Sequence, residues 1–255
     1  MNLKIHLLSL SLFFISYSLL SQDVWSPKES MKIKSISQTD ISYDGKMVAY
    51  VVREPIMDDK KSEYLSQIWI TNVDSKENIQ YTFNLKSSSS PKFSPDGKKV
   101  AFLSSRTGKN QVWIINTSGG EAKNITDEKK DVRSIKWSPD GKSISFLKND
   151  DDTEDEIKSK ENKTDVILVD KNFKYSHIYT YSLVEDTVTQ ITKGNFSVNS
   201  YDYSPEGNKI VFSHQDDTNI NTGFVNSDIS VIESDGSNLK RLIKRPGIDS
   251  SPIFS

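Results

Sequence analysis

Four short β-rich runs punctuate the chain, at residues 47–52, 99–103, 143–147 and 209–213. Their brevity and their β-branched and aromatic content predict strands. In Val100-Ala101-Phe102-Leu103 successive residues are apolar, so both faces of the pleat require cover rather than one being left to water. A second run follows in each unit, at 67–71, 111–116, 177–182 and 228–233. Directly before each first run stands a turn: Ser94-Pro95-Asp96-Gly97-Lys98, Ser138-Pro139-Asp140-Gly141-Lys142 and Ser204-Pro205-Glu206-Gly207-Asn208. Ser42-Tyr43-Asp44-Gly45-Lys46 is a divergent first copy. Proline presets φ for the turn and glycine relieves its exit, so each copy reads as a tight strand-to-strand connection.

In the clearest unit one strand ends at Phe93, the next spans 100–103, a third spans 112–115, and Gly119-Gly120 turns into a fourth at 122–126. Four antiparallel strands per unit, covered on both faces and repeated, predict an all-β fold: a β-propeller of four-stranded blades. A β-sandwich would not require the same turn at every fourth strand. The turn glycines lie 52, 44 and 66 residues apart, so the middle interval is close to a bare blade. The surplus falls in a polar loop at 55–66 and a longer insertion at 148–176, segments expected to lie on a propeller face where binding loops gather. The final stretch Ser250-Ser251-Pro252-Ile253-Phe254-Ser255 copies Ser89-Ser90-Pro91-Lys92-Phe93-Ser94. The expectation is an incomplete propeller over 35–255, about four blades plus one strand, because a closed ring removes sheet edges.

At the other end, Lys4 precedes an apolar stretch at 5–20 that is too short and serine-rich for a membrane span. Residues 1–21 read as a signal peptide, which implies an exported protein, periplasmic or secreted, with no stable membrane anchor. Ser26-Pro27-Lys28-Glu29 then predicts one short helix in a lead-in at 22–34.

The 33 basic and 35 acidic side chains leave a net charge of -2, which supplies no field to attract nucleic acid. With no cysteine and only His6, His177 and His214, thiol nucleophiles, cysteine-based zinc sites and iron–sulfur clusters are excluded. No cofactor or metal is expected. His177 and His214, with no serine partner evident in the sequence, read as structural. Trp69, Trp113 and Trp137 recur at strand positions and read as packing between blades. The acidic run at 150–156 lacks the glycine and ligand spacing of a calcium loop and reads as a solvated loop.

The Ser-Pro-Asp-Gly-Lys turn, the stretch Val100 to Gly108 (Val-Ala-Phe-Leu-Ser-Ser-Arg-Thr-Gly), Gln111-Val112-Trp113-Ile114 and Gly119-Gly120-Glu121-Ala122 before Ile125-Thr126 together resemble the TolB-type propeller repeat. The finer likeness is to prolyl-oligopeptidase family serine peptidases, especially acylaminoacyl-peptidase and dipeptidyl-peptidase-like members. It rests on the lead-in at 26–30, on Val48-Ala49-Tyr50, and on Asp165-Val166-Ile167 in the third-blade insertion. The resemblance implies an amino-terminal propeller that gates short peptides into a carboxy-terminal α/β-hydrolase domain carrying a Ser-Asp-His triad. No Gly-x-Ser-x-Gly nucleophile elbow occurs here, so no catalytic residue is assigned and this segment alone is expected to hydrolyse nothing. Exo-acting relatives grip the substrate's free amino terminus with acidic propeller residues, a role the resemblance extends to Glu154 or Glu156. The alternatives are a non-enzymatic periplasmic TolB-like propeller that binds partner proteins, and an amidohydrolase or other enzyme bearing the same propeller.

Overall fold

The computed structural model describes residues 26–57, 62–164, 173–216 and 226–254. The signal-peptide segment and Asp165-Val166-Ile167 lie outside the described residues. The chain divides into two units, 1–33 and 34–255. In the first, α1 (Pro27–Met31) begins where the Ser26 hydroxyl accepts the Glu29 amide at 3.2 Å. No helix among the described residues is long and apolar enough to cross a membrane.

Among its described residues the second unit holds four antiparallel sheets, each built on four strands consecutive in sequence. The first blade is β1 (Ser35–Ile41), β2 (Met47–Met57), β3 (Ser62–Asn72) and β4 (Asn78–Gln80). The second is β5 (Ser88–Phe93), β6 (Lys99–Ser104), β7 (Gln111–Asn116) and β8 (Lys123–Asn124). The third is β9 (Val132–Trp137), β10 (Ser143–Asn149), β11 (Ser176–Ser182) and β12 (Thr187–Gln190), with α2 (Glu154–Glu161) between β10 and β11. The fourth is β13 (Ser197–Tyr203), β14 (Lys209–Gln215), β15 (Asn226–Glu233) and β16 (Lys240–Ile243), and β17 (Gly247–Ile248) pairs with β15 in parallel. This is the blade architecture of a β-propeller, present in part.

The repeated turn is held by its serine and aspartate as well as by its proline and glycine. Ser94 Oγ donates to Asp96 Oδ1 at 2.6 Å and accepts the Lys99 amide at 2.9 Å, while Asp96 Oδ1 accepts the Lys98 amide at 3.1 Å. The same closed loop of bonds forms at Ser42 and Ser138. In the fourth copy, which carries Glu206, Ser204 turns instead to Asn208 Oδ1 at 3.0 Å. The serine hydroxyls hold Asp44, Asp96 and Asp140 below the usual carboxylate range.

Strand alternation sends successive side chains to opposite blade interfaces, which explains continuous apolar stretches such as Val100–Leu103. Phe102 packs with Ala49, Val51 and Ile68 of the first blade, whereas its neighbours Ala101 and Leu103 pack with Ile144 and Phe146 of the third. A further layer joins Leu147 and Ile178 to Phe196, Ile210 and Phe212. Phe102, Phe146 and Phe212 are each 0% exposed. Trp113 lies in the first layer, and Trp137 donates its indole N–H to the Lys92 carbonyl of the preceding blade at 2.9 Å. Trp69, on the first blade, is only half-buried.

Two features differ from the sequence expectation. The polar loop at 55–66 is largely strand, because β2 and β3 pair from Met47↔Asn72 out to Met57↔Ser62 and extend the hairpin instead of interrupting it. The acidic run ends in a helix, for a reason given below. Beyond the fourth blade, Ser251 has φ 52 and its amide donates to Ser200 Oγ at 3.2 Å. Gln38, Ser90 and Ser134 adopt the same left-handed conformation in the first strands of the first three blades. The stretch at 250–254 thus begins as those first strands do.

Candidate functional site

Antiparallel order places every connection between the second and third strands of a blade at one end of the sheets, opposite the Ser-Pro-Asp-Gly turns. β2 and β3, β10 and β11, and β14 and β15 are all joined at that end.

The insertion is anchored by Lys148 at the end of β10. Its side chain is 6% exposed, its ammonium binds Glu128 Oε2 at 2.7 Å with Asp151 Oδ1 at 3.4 Å, and it stands 4.6 Å over the Tyr179 ring. Burial opposes the charge, but the Glu128 bond and the surrounding acids leave Lys148 more basic than usual. Next to it, Asp152 accepts Lys130 at 2.7 Å and Lys160 at 2.9 Å, and these bonds lower its pKa to about 2.

α2 starts at Thr153 with a reciprocal cap: Thr153 Oγ1 accepts the Glu156 amide at 3.3 Å, and Glu156 Oε2 accepts the Thr153 amide at 2.7 Å. Thr153-x-x-Glu156 was legible as this signature, but the surrounding acids drew attention to charge instead. Lys174 Nζ closes on Glu156 Oε2 at 2.5 Å and, with the cap, holds Glu156 below its ordinary pKa. The two sequence-singled glutamates are therefore inequivalent. Glu156 is committed to the helix start, whereas Glu154 is exposed in the first turn and among the described residues has no ion-pair partner.

At this end the guanidinium groups of Arg106 and Arg133, like that of Arg53 over the Tyr64 ring, are not paired with a carboxylate among the described residues. Arg106 lies 4.2 Å over the Trp113 ring and bonds Ser104 Oγ at 3.2 Å, and desolvation lowers its pKa. Arg133, on the first strand of the third blade, bonds Ser176 Oγ at 2.8 Å and is likewise shifted down by desolvation. Such groups can receive the carbonyls or carboxylates of an extended peptide.

Sequence reading did not anticipate a serine beside His214. His214 Nε2 meets Ser230 Oγ at 2.8 Å, and Nδ1 stands 3.3 Å from Asp216 Oδ1 without forming a hydrogen bond. The order mimics a charge relay, but the chemistry is absent. Ser230 is 2% exposed in mid-strand, and Arg241 holds both oxygens of Asp216 at 2.7 and 2.8 Å. Among the described residues no group of three or more His, Asp or Glu could hold a metal ion.

At the opposite end a cavity of about 590 Å³ lies where the first strands of all four blades converge. Phe93, Trp137, Tyr203 and Phe254 supply its apolar wall, and the Lys136–Asp202 pair, 2.7 Å apart, supplies the polar one.

A family model described as the TolB beta propeller domain matches residues 41–169, half of the chain. The chain belongs to the TolB beta propeller domain family. This propeller is 37% identical over 75 residues to an uncharacterized peptidase of Bacillus subtilis (strain 168), YuxL, a match covering 29% of this chain and 11% of that protein. Its fold is similar to an acylaminoacyl peptidase of Pyrococcus horikoshii, with a TM-score of 0.63 and 22% identity, covering 87% of this chain and 34% of that one. It is also similar to a putative TolB from Agrobacterium tumefaciens, with a TM-score of 0.57 and 19% identity, covering 83% of this chain and 63% of that one. The propeller thus spans about a third of the length of the acylaminoacyl peptidase and about a ninth of YuxL.

Proposed function

We propose that this chain is the propeller part of an exported serine peptidase of the prolyl-oligopeptidase family, periplasmic or secreted, which orients short peptides for an α/β-hydrolase domain in cis. The observation that carries this reading is the 37% identity to a peptidase over 75 residues. The gathering of an extended hairpin, two longer connections and the carboxylate-free Arg106 and Arg133 at one end supports it, since peptide gating needs variable loops on a rigid scaffold. In this reading the propeller contributes no nucleophile, base or oxyanion hole; it binds and filters.

Within that function, Glu154 is the better placed of the two glutamates to receive a peptide's ammonium, because its carboxylate is exposed while Glu156 already serves Thr153 and Lys174. In the complete enzyme, Glu154→Gln should reduce the preference for free-amine over blocked peptides. An unchanged preference removes Glu154 from this role.

The function is tested by recovering the protein from the envelope or medium of its own cells, measuring its mass and treating it with a fluorophosphonate probe. A species much heavier than 28.9 kDa that the probe labels supports the peptidase reading. A probe-silent species no heavier than 28.9 kDa overturns it and favours a partner-binding propeller, the alternative to which the TolB likeness points.

A further inference from the structure

The first three blades close their third and fourth strands with one repeated clasp. A threonine Oγ1 accepts the backbone amide of the third strand at 2.9 Å in each: Thr82 from Ile68, Thr126 from Val112 and Thr192 from Ile178. The residue before that amide completes the clasp. In the first two blades it is glutamine: the Thr82 and Thr126 hydroxyls donate to Gln67 and Gln111 Oε1 at 2.5 and 2.8 Å. Each glutamine Nε2 then donates to a backbone carbonyl, of Asn84 at 2.6 Å and of Glu128 at 3.0 Å.

In the third blade the position is taken by His177. Its Nδ1 meets Thr192 Oγ1 at 3.2 Å, and Gly194 follows Thr192 by two residues, as Asn84 follows Thr82 and Glu128 follows Thr126. Thr82 and Thr126 both accept an amide while donating to the residue before it, and by the same pattern the Thr192 hydroxyl, which accepts the Ile178 amide, is assigned as donor to Nδ1. The network therefore assigns a neutral imidazole that accepts at Nδ1 and carries its proton on Nε2. Glutamine and neutral histidine perform the same task here; only histidine can gain a proton.

We propose that His177 makes the third clasp acid-sensitive: protonation at Nδ1 removes the acceptor for the Thr192 hydroxyl and loosens the base of the 148–176 insertion, while the Gln67 and Gln111 clasps stay shut. The placement makes the coupling direct. His177 lies opposite Lys148 in the β10–β11 ladder, one residue after the insertion ends. Its ring packs edge-on against Phe196, with centroids 5.5 Å apart, and Phe196 contacts Phe212 and His214 of the fourth blade.

The charges around it do not favour the imidazolium. Asp150 is 3.9 Å away and attracts a proton, but the cost of desolvation is larger and lowers the His177 pKa. Lys148, across the ladder, is held by Glu128 and Asp151. Beyond Phe196, His214 is also shifted down, by burial and then by Arg241, with Asp216 and Asp228 opposing. Because the folded state resists protonation, stability is full above the unfolded pKa of 6.5 and falls as pH drops below it.

The test is hydrogen exchange of the full chain at pH 7.5 and 5.5, corrected for intrinsic rates and read at the Ile178, Ile68 and Val112 amides. Protection of Ile178 should fall relative to the other two by up to about tenfold, while the ratio of Ile68 to Val112 stays constant. His177→Gln, which installs the clasp already used twice in this molecule, should abolish that difference. Equal behaviour of the three wild-type amides overturns the proposal without any variant being needed. A loss at Ile178 that persists in H177Q also overturns it and assigns the acid response to His214.

Discussion

In the second blade Ser104 pairs with Gln111, where the second strand hands over to the third, and a short turn joins them. In the third blade the corresponding pair is Lys148 and His177, and 28 residues including a helix intervene. Towards the Ser-Pro-Asp-Gly turns the two blades coincide: Phe102 and Phe146 are fully buried, and Ser94 and Ser138 make the same bonds. The turn end is thus repeated chemistry, while the loop end is where blades acquire individual character. A propeller tolerates this because inter-blade layers hold the strands regardless of what their loops carry.

The comparison can be broken most forcefully in its shared part. Phe102→Ala and Phe146→Ala should each cost about 3–5 kcal/mol in urea unfolding, because each empties a filled layer. A clear inequality between them would mean that the two frames are not energetically equivalent. Lys148→Met sharpens the contrast at the loop end. It strands Glu128, and because that carboxylate keeps some contact with water the loss should be about 2–3 kcal/mol, below that of a wholly buried pair. Thr153→Ala should cost about 1 kcal/mol, read as faster exchange at the Glu156 amide with the second blade unaffected. The smallest expected effect is acidic. Asp152 is bonded to two lysines and titrates at about 2 instead of 3.8, so its contribution is present above that window and lost as pH falls through it. Asp152→Asn should flatten acid unfolding between pH 4 and about 2, and an unaltered curve would show that the pair with Lys130 and Lys160 adds nothing to stability.

Much of this frame was legible along the chain. Turn signatures are local: proline, aspartate and glycine act within five residues, and the apolar runs report two-faced burial directly. The capping box at Thr153 and Glu156 was equally local, and was obscured by a run of acids that looked merely solvated. The hairpin at 47–72 was harder, since polar residues such as Glu63 and Ser66 suggest a loop unless their partners Ile56 and Arg53 across the ladder are known. The candidate site was legible only in outline, as two insertions and two glutamates. That Glu156 is occupied and Glu154 is not depends on Lys174, 18 residues further on.

By itself the sequence determined the repeat, the turns and the blade class, because each depends on residues within one strand-turn-strand span. Tertiary structure decided the rest. It set which end carries the insertions, buried Lys148 against Glu128, brought the buried Ser230 to His214, and put His177 where two sister blades use glutamine. These outcomes depend on side chains 15 to 20 residues apart meeting in a low-dielectric interior. There the partner and the burial, rather than residue type, set the charge a group can hold.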